Sequence, residues 1–248
     1  MNINDGVLIE DRPAAGQNTF VVRNPSGSWP APGGEHQFSP ATDTMACVSY
    51  SATHCLESQI LFLTGKVVNL SERFLATMSG TTHQGNYQQK VAETIMKYGM
   101  VYDQDWPEPT QFTWDEYYSP IPQSVIDKGQ EFLKEYDISA KWISPAQVNQ
   151  ALQEAPLQVV VSVAYPNHAQ ELLNINTVFD TYEPYEKPPL PSYDHFEILL
   201  TPKNMSQFKT QNYKGELRIV LGASTPEQWS ALCAVYGVDP AAPIEETV

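Results

Sequence analysis

Cys47 stands where a thiol can become a nucleophile. It lies in Asp43-Thr44-Met45-Ala46-Cys47-Val48-Ser49-Tyr50-Ser51-Ala52, just after a turn and at the head of an amphipathic run. At a helix N-terminus the unpaired backbone N–H groups and the helix dipole favour an anion, so a sulfur there is favoured as thiolate. Thr42, Asp43 and Thr44 are all residue types that cap a helix start. Leu56, Ile60 and Leu63 follow at helical spacing until Thr64-Gly65 ends the run. The competing reading is a small core residue, since free cysteine is among the most buried residue types. A nucleophilic cysteine needs an imidazole as base and a third group to fix the ring's tautomer. The chain offers five histidines, His36, His54, His83, His168 and His195. Cys55 and Cys233 read as core or near-surface thiols.

The elements that must position these groups change character along the chain. Residues 1–36 are rich in Pro, Gly, Asn and Ser, with one apolar piece at Thr19-Phe20-Val21-Val22; they read as an extended arm. Residues 43–153 are mainly helical, with helices expected near 45–64, 70–79, 87–98, 123–136 and 145–154. Pro107, Pro109, Pro120 and Pro122 mark the loops. The period then switches. Leu157-Gln158-Val159-Val160-Val161-Ser162-Val163 is β-branched and reads as a strand. Residues 168–173 and 177–182 form a hairpin across Asn174-Ile175-Asn176, and 196–200 is a further strand. The tail predicts a strand at 216–221 and a helix at 226–236, which puts Trp229, Leu232 and Tyr236 on one face. The fold class is α+β, a helical half followed by an antiparallel β half.

Composition narrows the function. A chain of 248 residues holds one large domain or two small ones, with length for a real core. Its net charge of −15 argues against nucleic-acid partners and anionic membranes, which need basic surface. No apolar run approaches the ~20 residues of a membrane span. Met1-Asn2-Ile3-Asn4-Asp5-Gly6 has neither the basic start nor the apolar core of a signal peptide. Three cysteines do not make a disulfide framework. A cytoplasmic, non-secreted setting follows as the expectation. Cys-x-x-Cys, His-Glu-x-x-His and Gly-rich phosphate loops are lacking, so no metal and no cofactor is expected. Pro188-Pro189-Leu190-Pro191 reads as a rigid loop in preference to a polyproline ligand.

Longer stretches carry a resemblance. Cys47-Val48-Ser49-Tyr50-Ser51-Ala52 is similar to the Cys-Trp-Ala-Phe-Ser-Ala of the papain-like cysteine peptidases. Thr64-Gly65-Lys66-Val67-Val68-Asn69-Leu70-Ser71-Glu72-Arg73-Phe74-Leu75 resembles that family's Thr-Gly-x-Leu-x-x-Leu-Ser-Glu-Gln-x-Leu stretch. Gln84-Gly85-Asn86-Tyr87 resembles its Asn-Gly-Gly-Tyr cleft segment, and Tyr98-Gly99-Met100-Val101-Tyr102 its Tyr-Gly-Ile…Tyr passage. The resemblance runs from about residue 35 to 202. It implies a two-lobed fold with the cleft between lobes: an arm at 1–36, a papain-like domain at 37–202 and an appended unit at 203–248. Within that domain the helical lobe spans about 43–154 and the β lobe 155–202. The cysteine-poor form looks more like bacteriophage or bacterial intracellular members than secreted ones, which carry several disulfides. An inhibitory propeptide is not expected, the arm being short and Pro-rich.

The same resemblance assigns the site. Asn167-His168-Ala169-Gln170 is similar to the family's Asp-His-Ala-Val strand, so His168 maps to the base. Phe179-Asp180-Thr181-Tyr182 stands where the family has Asn-Ser-Trp; Asp180 maps to the orienting group and Tyr182 to the covering aromatic. The rival base is His195, in Tyr193-Asp194-His195-Phe196. Gly85, Asn86, Tyr87, Asn167 and Tyr182 map to substrate binding. The oxyanion donors would be the Cys47 N–H and a side-chain amide. The family's Gln position is Ala41 here, so Gln37 is the candidate, at the expense of a loop insertion; otherwise no side chain donates. Met45-Ala46-Cys47-Val48 replaces the family's Gly-Ser-Cys-Trp. The implied function is thiol-dependent hydrolysis of a peptide or protein substrate. The alternative is a catalytically weak papain-like protein with a structural or assembly role, as in a viral particle, using the 203–248 unit as its partner surface.

Overall fold

A computed structural model describes residues 24, 26–33, 36–39, 42–162, 167–182, 185–190 and 192–203. Two short antiparallel strands, β1 (Phe38–Ser39) and β2 (Thr42–Asp43), lead into the long helix α1 (Cys47–Thr64). The helices α2 (Glu72–Met78), α3 (Gln88–Tyr98), α4 (Trp114–Tyr117) and α5 (Gln123–Glu135) follow. The chain then runs through β3 (Tyr136–Ile143), α6 (Val148–Ala151), β4 (Leu157–Ser162), β5 (Asn167–Asn174), β6 (Thr177–Phe179), β7 (Glu186–Lys187) and β8 (Ser192–Pro202). The strands from β3 onward form one six-stranded sheet in the order β3-β8-β4-β5-β6-β7, antiparallel throughout. Helices against one antiparallel sheet make the fold α+β.

Helix α1 is the spine. Leu56 and Ile60 enter the main core with Leu70, Leu75, Val91, Ile95, Phe196 and Ile198. The helix is buried on its polar faces too, at Ser49, Ser51, Thr53, His54, Glu57, Ser58 and Gln59. A helix enclosed on all sides must find partners for such groups or leave them unsatisfied. Two amides bind it to the sheet. Gln59 Nε2 donates to Ile198 O and its Oε1 accepts from Leu200 N, both at 2.9 Å, so the side chain answers β8 as a neighbouring strand would. Gln158 of β4 donates to Val48 O and Ser51 Oγ, both at 2.8 Å, next to the start of α1. The helix ends at Gly65, whose φ of 68° lets its N–H reach Leu61 O. At the far side α3 meets α5 backbone to backbone: a Cβ on Gly129 would lie 2.3 Å from Tyr98 O.

Strand β3 is absent from the sequence expectation, which ends one helix near 136 and starts another near 145. Its signal was there as alternation: Tyr136, Ile138, Ala140 and Trp142 all turn onto the α1 core. Pairing with β8 from Tyr136↔Pro202 to Ile143↔His195 makes the segment a strand. The expected helix at 145–154 is a 3₁₀ turn, Pro145–Gln147, followed by the single turn α6. Part of the arm is anchored: Trp29 packs with Leu173 and Phe179, and its Nε1 donates to Leu152 O at 2.7 Å. The apolar piece at 19–22, the expected strand at 216–221, the helix at 226–236 and Cys233 lie outside the described residues. Among the described residues no helix is long and apolar enough to cross a membrane.

Candidate active site

Cys47 is the first residue of α1, half-buried, with a free thiol. The N-cap is Ala46, and no side chain caps the helix. The expected cappers are engaged elsewhere. Thr42 Oγ1 donates to Phe112 O and Thr44 Oγ1 to Gln37 O. Asp43 Oδ1 accepts from Met45 N at 2.8 Å, two residues before the helix begins. The N–H groups of the first turn therefore keep no side-chain acceptor, which is what an anion-binding helix start requires. Met45 has φ 55°, a left-handed conformation that is costly for a residue with a Cβ. Its carbonyl lies against Gly85, where an added Cβ would sit 3.7 Å away. The expected cleft segment is thus packed on the loop that carries Cys47.

In that segment Gly85 has φ 87° and closes a tight turn with Thr82. The Asn86 amide turns inward, donating to Ser79 Oγ at 2.8 Å and Thr81 Oγ1 at 3.2 Å. Tyr87 is 79% exposed at the start of α3. Asn167 is the exposed first residue of β5, paired with Ser162.

The sheet supplies the second half. His168 on β5 is buried, and its Nε2 lies 2.7 Å from Asp180 Oδ1. An ionised carboxylate only accepts, so Nε2 donates and Nδ1 is the nitrogen that faces other partners. Among the described residues Nδ1 has no hydrogen bond. Tyr182 lies over the ring, centroids 4.6 Å apart. Asp180, 3% exposed, follows β6 directly. Its Oδ1 also accepts from Tyr182 N at 3.0 Å; its Oδ2 accepts from Gln170 Nε2 at 2.9 Å and from Lys187 Nζ.

Gln37, 1% exposed, joins the two halves. Its N–H donates to Thr181 O at 3.1 Å and its Oε1 accepts from Thr181 Oγ1 at 2.5 Å. Its Nε2 donates to Asp43 Oδ1 at 3.3 Å, and Tyr182 OH donates to Asp43 Oδ2 at 2.6 Å. Gln37, Asp43, His168, Asp180 and Tyr182 thereby form one hydrogen-bonded group beside the loop that leads into Cys47. Burial raises the Tyr118 and Tyr182 hydroxyls far above their ordinary range, and the charges of both Asp43 and Cys47 add to it. Tyr118 OH donates to Thr44 O at 2.5 Å.

The other histidines sit elsewhere. His195 lies on β8 opposite Ile143 and Val159, with strand β4 between it and β5; burial lowers its pKa. His83 stacks on Trp114, and His36 Nδ1 meets Tyr182 O at 2.9 Å. Cys55 is buried, which raises its thiol pKa. Among the described residues one group has the composition to hold a cation: His54, Glu57 and Glu72, with ligand atoms within 4.8 Å of one another. Its members, two from α1 and one from α2, are all buried, and Glu57 Oε1 already accepts from Leu70 N at 2.7 Å. The sequence reading missed Asp43, Gln170, Thr181 and Lys187. Asp43, Gln170 and Thr181 stood within the segments already singled out, and Lys187 lies seven residues beyond Asp180.

The sequence matches no protein-family model and no curated protein. Solved structures do match. The cysteine protease Amb a 11 of ragweed pollen, in its proform, superposes with a TM-score of 0.50 at 14% identity, over 79% of this chain and 68% of its own. The recombinant stem bromelain precursor gives 0.51 at 14% identity, over 68% and 67%. The fold of this chain is that of the papain-like cysteine proteases.

Proposed function

We propose that this chain hydrolyses peptide or amide bonds through a thiol. Cys47 would be the nucleophile, His168 the general base and acid, and Asp180 the group that orients the ring. The observation that supports this most is the 2.7 Å bond from His168 Nε2 to Asp180, under the Tyr182 ring, with Nδ1 left for a sulfur. Nδ1 takes the Cys47 proton, and the resulting thiolate attacks the carbonyl carbon as the π electrons move to oxygen. The oxyanion accepts from the Cys47 N–H and from Gln37 Nε2, each such donor contributing about 3–4 kcal/mol. The imidazolium gives its Nδ1 proton to the leaving nitrogen as the C–N bond breaks. Water then gives a proton to Nδ1 and attacks the thioester, releasing the acid and restoring the thiolate. The main chain of Gly85 and Asn86, with Tyr87, Asn167 and Tyr182, would flank a peptide or protein substrate. Residues 37–202 would be the catalytic unit, 1–36 an arm and 203–248 an appended unit, in a non-secreted setting of phage or bacterial type.

A second reading is a weakly active papain-like protein with a structural or virion-associated role, in which 203–248 contacts an assembly partner. One contact favours it: Asp43 accepts from the same Gln37 amide that an oxyanion would use. One experiment separates the readings. Iodoacetamide at neutral pH labels Cys47 quickly and leaves Cys55 unmodified in the folded protein, and a peptide-library digest shows cleavage that Cys47→Ala abolishes. An unreactive Cys47 with no cleavage rejects the hydrolase.

A further inference from the structure

We infer that Lys187 is a positioning residue for His168, acting through Asp180, and that the lysine–aspartate pair serves as a net-neutral acceptor for the imidazole. This rests on the hydrolase reading above and assigns that site one more member. The two oxygens of Asp180 divide the work. Oδ1 faces the ring and its own turn, through His168 Nε2 and Tyr182 N. Oδ2 faces away from the ring and takes Gln170 Nε2 and Lys187 Nζ. Lys187 comes from β7, whose register sets it opposite Val178 of β6, two residues before the carboxylate of Asp180. Its side chain is 26% exposed and that of Asp180 only 4%. Among the described residues Lys187 is the one lysine or arginine that pairs with Asp180.

Charge and geometry both call for it. A lone carboxylate with this little solvent would bear its full charge on the imidazole, which must cycle between charged and neutral in each turnover. An ammonium on the second oxygen offsets that charge and leaves the first oxygen's direction intact. The same contact ties β7 to β5 across β6, so Asp180 is held from both sides.

The test is a charge-swap cycle on the full chain: wild type, Lys187→Met, Lys187→Arg, Asp180→Asn and the double variant Asp180→Asn with Lys187→Met. The readouts are kcat and KM on a peptide identified in the library digest, the iodoacetamide rate at Cys47, and the urea midpoint as a check on folding. Lys187→Met should lower kcat by roughly ten- to a hundred-fold, the scale of a misplaced reacting group, with KM within about twofold. Lys187→Arg should retain most of kcat. The double variant should recover most of what each single change loses, because Asn presents a neutral acceptor and needs no counter-ion. Gln170 can accommodate it by turning its amide, whose Oε1 is buried without a partner. A Lys187→Met enzyme with wild-type kcat, or a double variant as poor as the two losses multiplied, overturns the role of Lys187 alone. A wild type whose Cys47 neither alkylates nor turns over overturns this inference together with the hydrolase reading.

Discussion

Two buried imidazoles occupy opposite circumstances in this molecule. His54, on α1, is fully enclosed, with neither ring nitrogen hydrogen-bonded, and lies edge-on to the rings of Tyr50 and Phe179. Burial drives its pKa down to about 3. His168, on β5, is nearly as enclosed, yet one nitrogen meets a carboxylate and the other is left open. The acids repeat the contrast. Glu171, three positions along β5 from His168, is 0% exposed; Ser58 is the polar group facing it, but neither oxygen has a partner at hydrogen-bond geometry. Burial raises its pKa to about 8. Asp180 has four donors on its two oxygens. Burial without hydrogen-bond partners makes an ionisable group neutral and inert; burial with directed donors makes it usable. The first region is core, and the second is the candidate site.

The largest test of this contrast exchanges the histidines. His168→Ala should lower the rate by about 10⁴-fold, as loss of a triad member does, whereas His54→Ala should leave the rate per folded molecule within about twofold and lower the urea midpoint. Steady-state kinetics beside urea titrations on both variants decide it. The second test concerns the acid of the core. Glu171 is protonated when folded and ionised when unfolded between its ordinary 4.5 and about 8, so stability should fall as pH rises through that window. The expected loss is on the order of 3–5 kcal/mol, and Glu171→Gln should flatten that limb. His54 has the opposite sign. It is neutral when folded and charged when unfolded between 6.5 and about 3, so stability should fall as pH drops through that range. Together they predict greatest stability between about 4.5 and 6.5 in urea titrations run across pH.

The third test turns to the donor-rich region. Gln37→Ala should cut turnover roughly 10- to 1,000-fold, the effect of one oxyanion donor. An unchanged rate would assign Gln37 to holding Asp43 and Thr181 alone. The smallest effect should come from Tyr182→Phe. It removes the hydroxyl that donates to Asp43 but keeps the ring over His168, for about 1 kcal/mol of stability and less than about a tenfold change in kcat. Tyr182→Ala, which removes the ring as well, should cost more in kcat than Tyr182→Phe.

Legibility followed the range of the interactions. Cys47 heading a helix was readable because α1 is written in local periodicity, with Leu56, Ile60 and Leu63 inward and Gly65 at its end. The bond between His168 and Asp180 was readable because a short hairpin joins them. The helix cap was misread for a physical reason: Asp43 and Thr44 have the capping chemistry, but Gln37, across the β1–β2 hairpin, and Tyr182, far along the chain, claim it. Strand β3 was passed over because its partner β8 lies far along the chain, and an eight-residue segment with weak alternation takes strand form only beside that partner.

By itself the sequence determined the α+β order of elements, the reach of α1 with Cys47 at its head, and the hairpin that pairs His168 with Asp180. Those follow from side-chain periodicity, turn chemistry and motif spacing, all of which act over a few residues. The tertiary structure alone decided which buried groups are solvated by protein. Gln170 and Lys187 converge on Asp180 from two strands, while Glu171 on the first of those strands turns toward Ser58 and finds no partner. The charge state of a buried group depends on donors brought within about 3 Å by folding. No local stretch of residues contains that information.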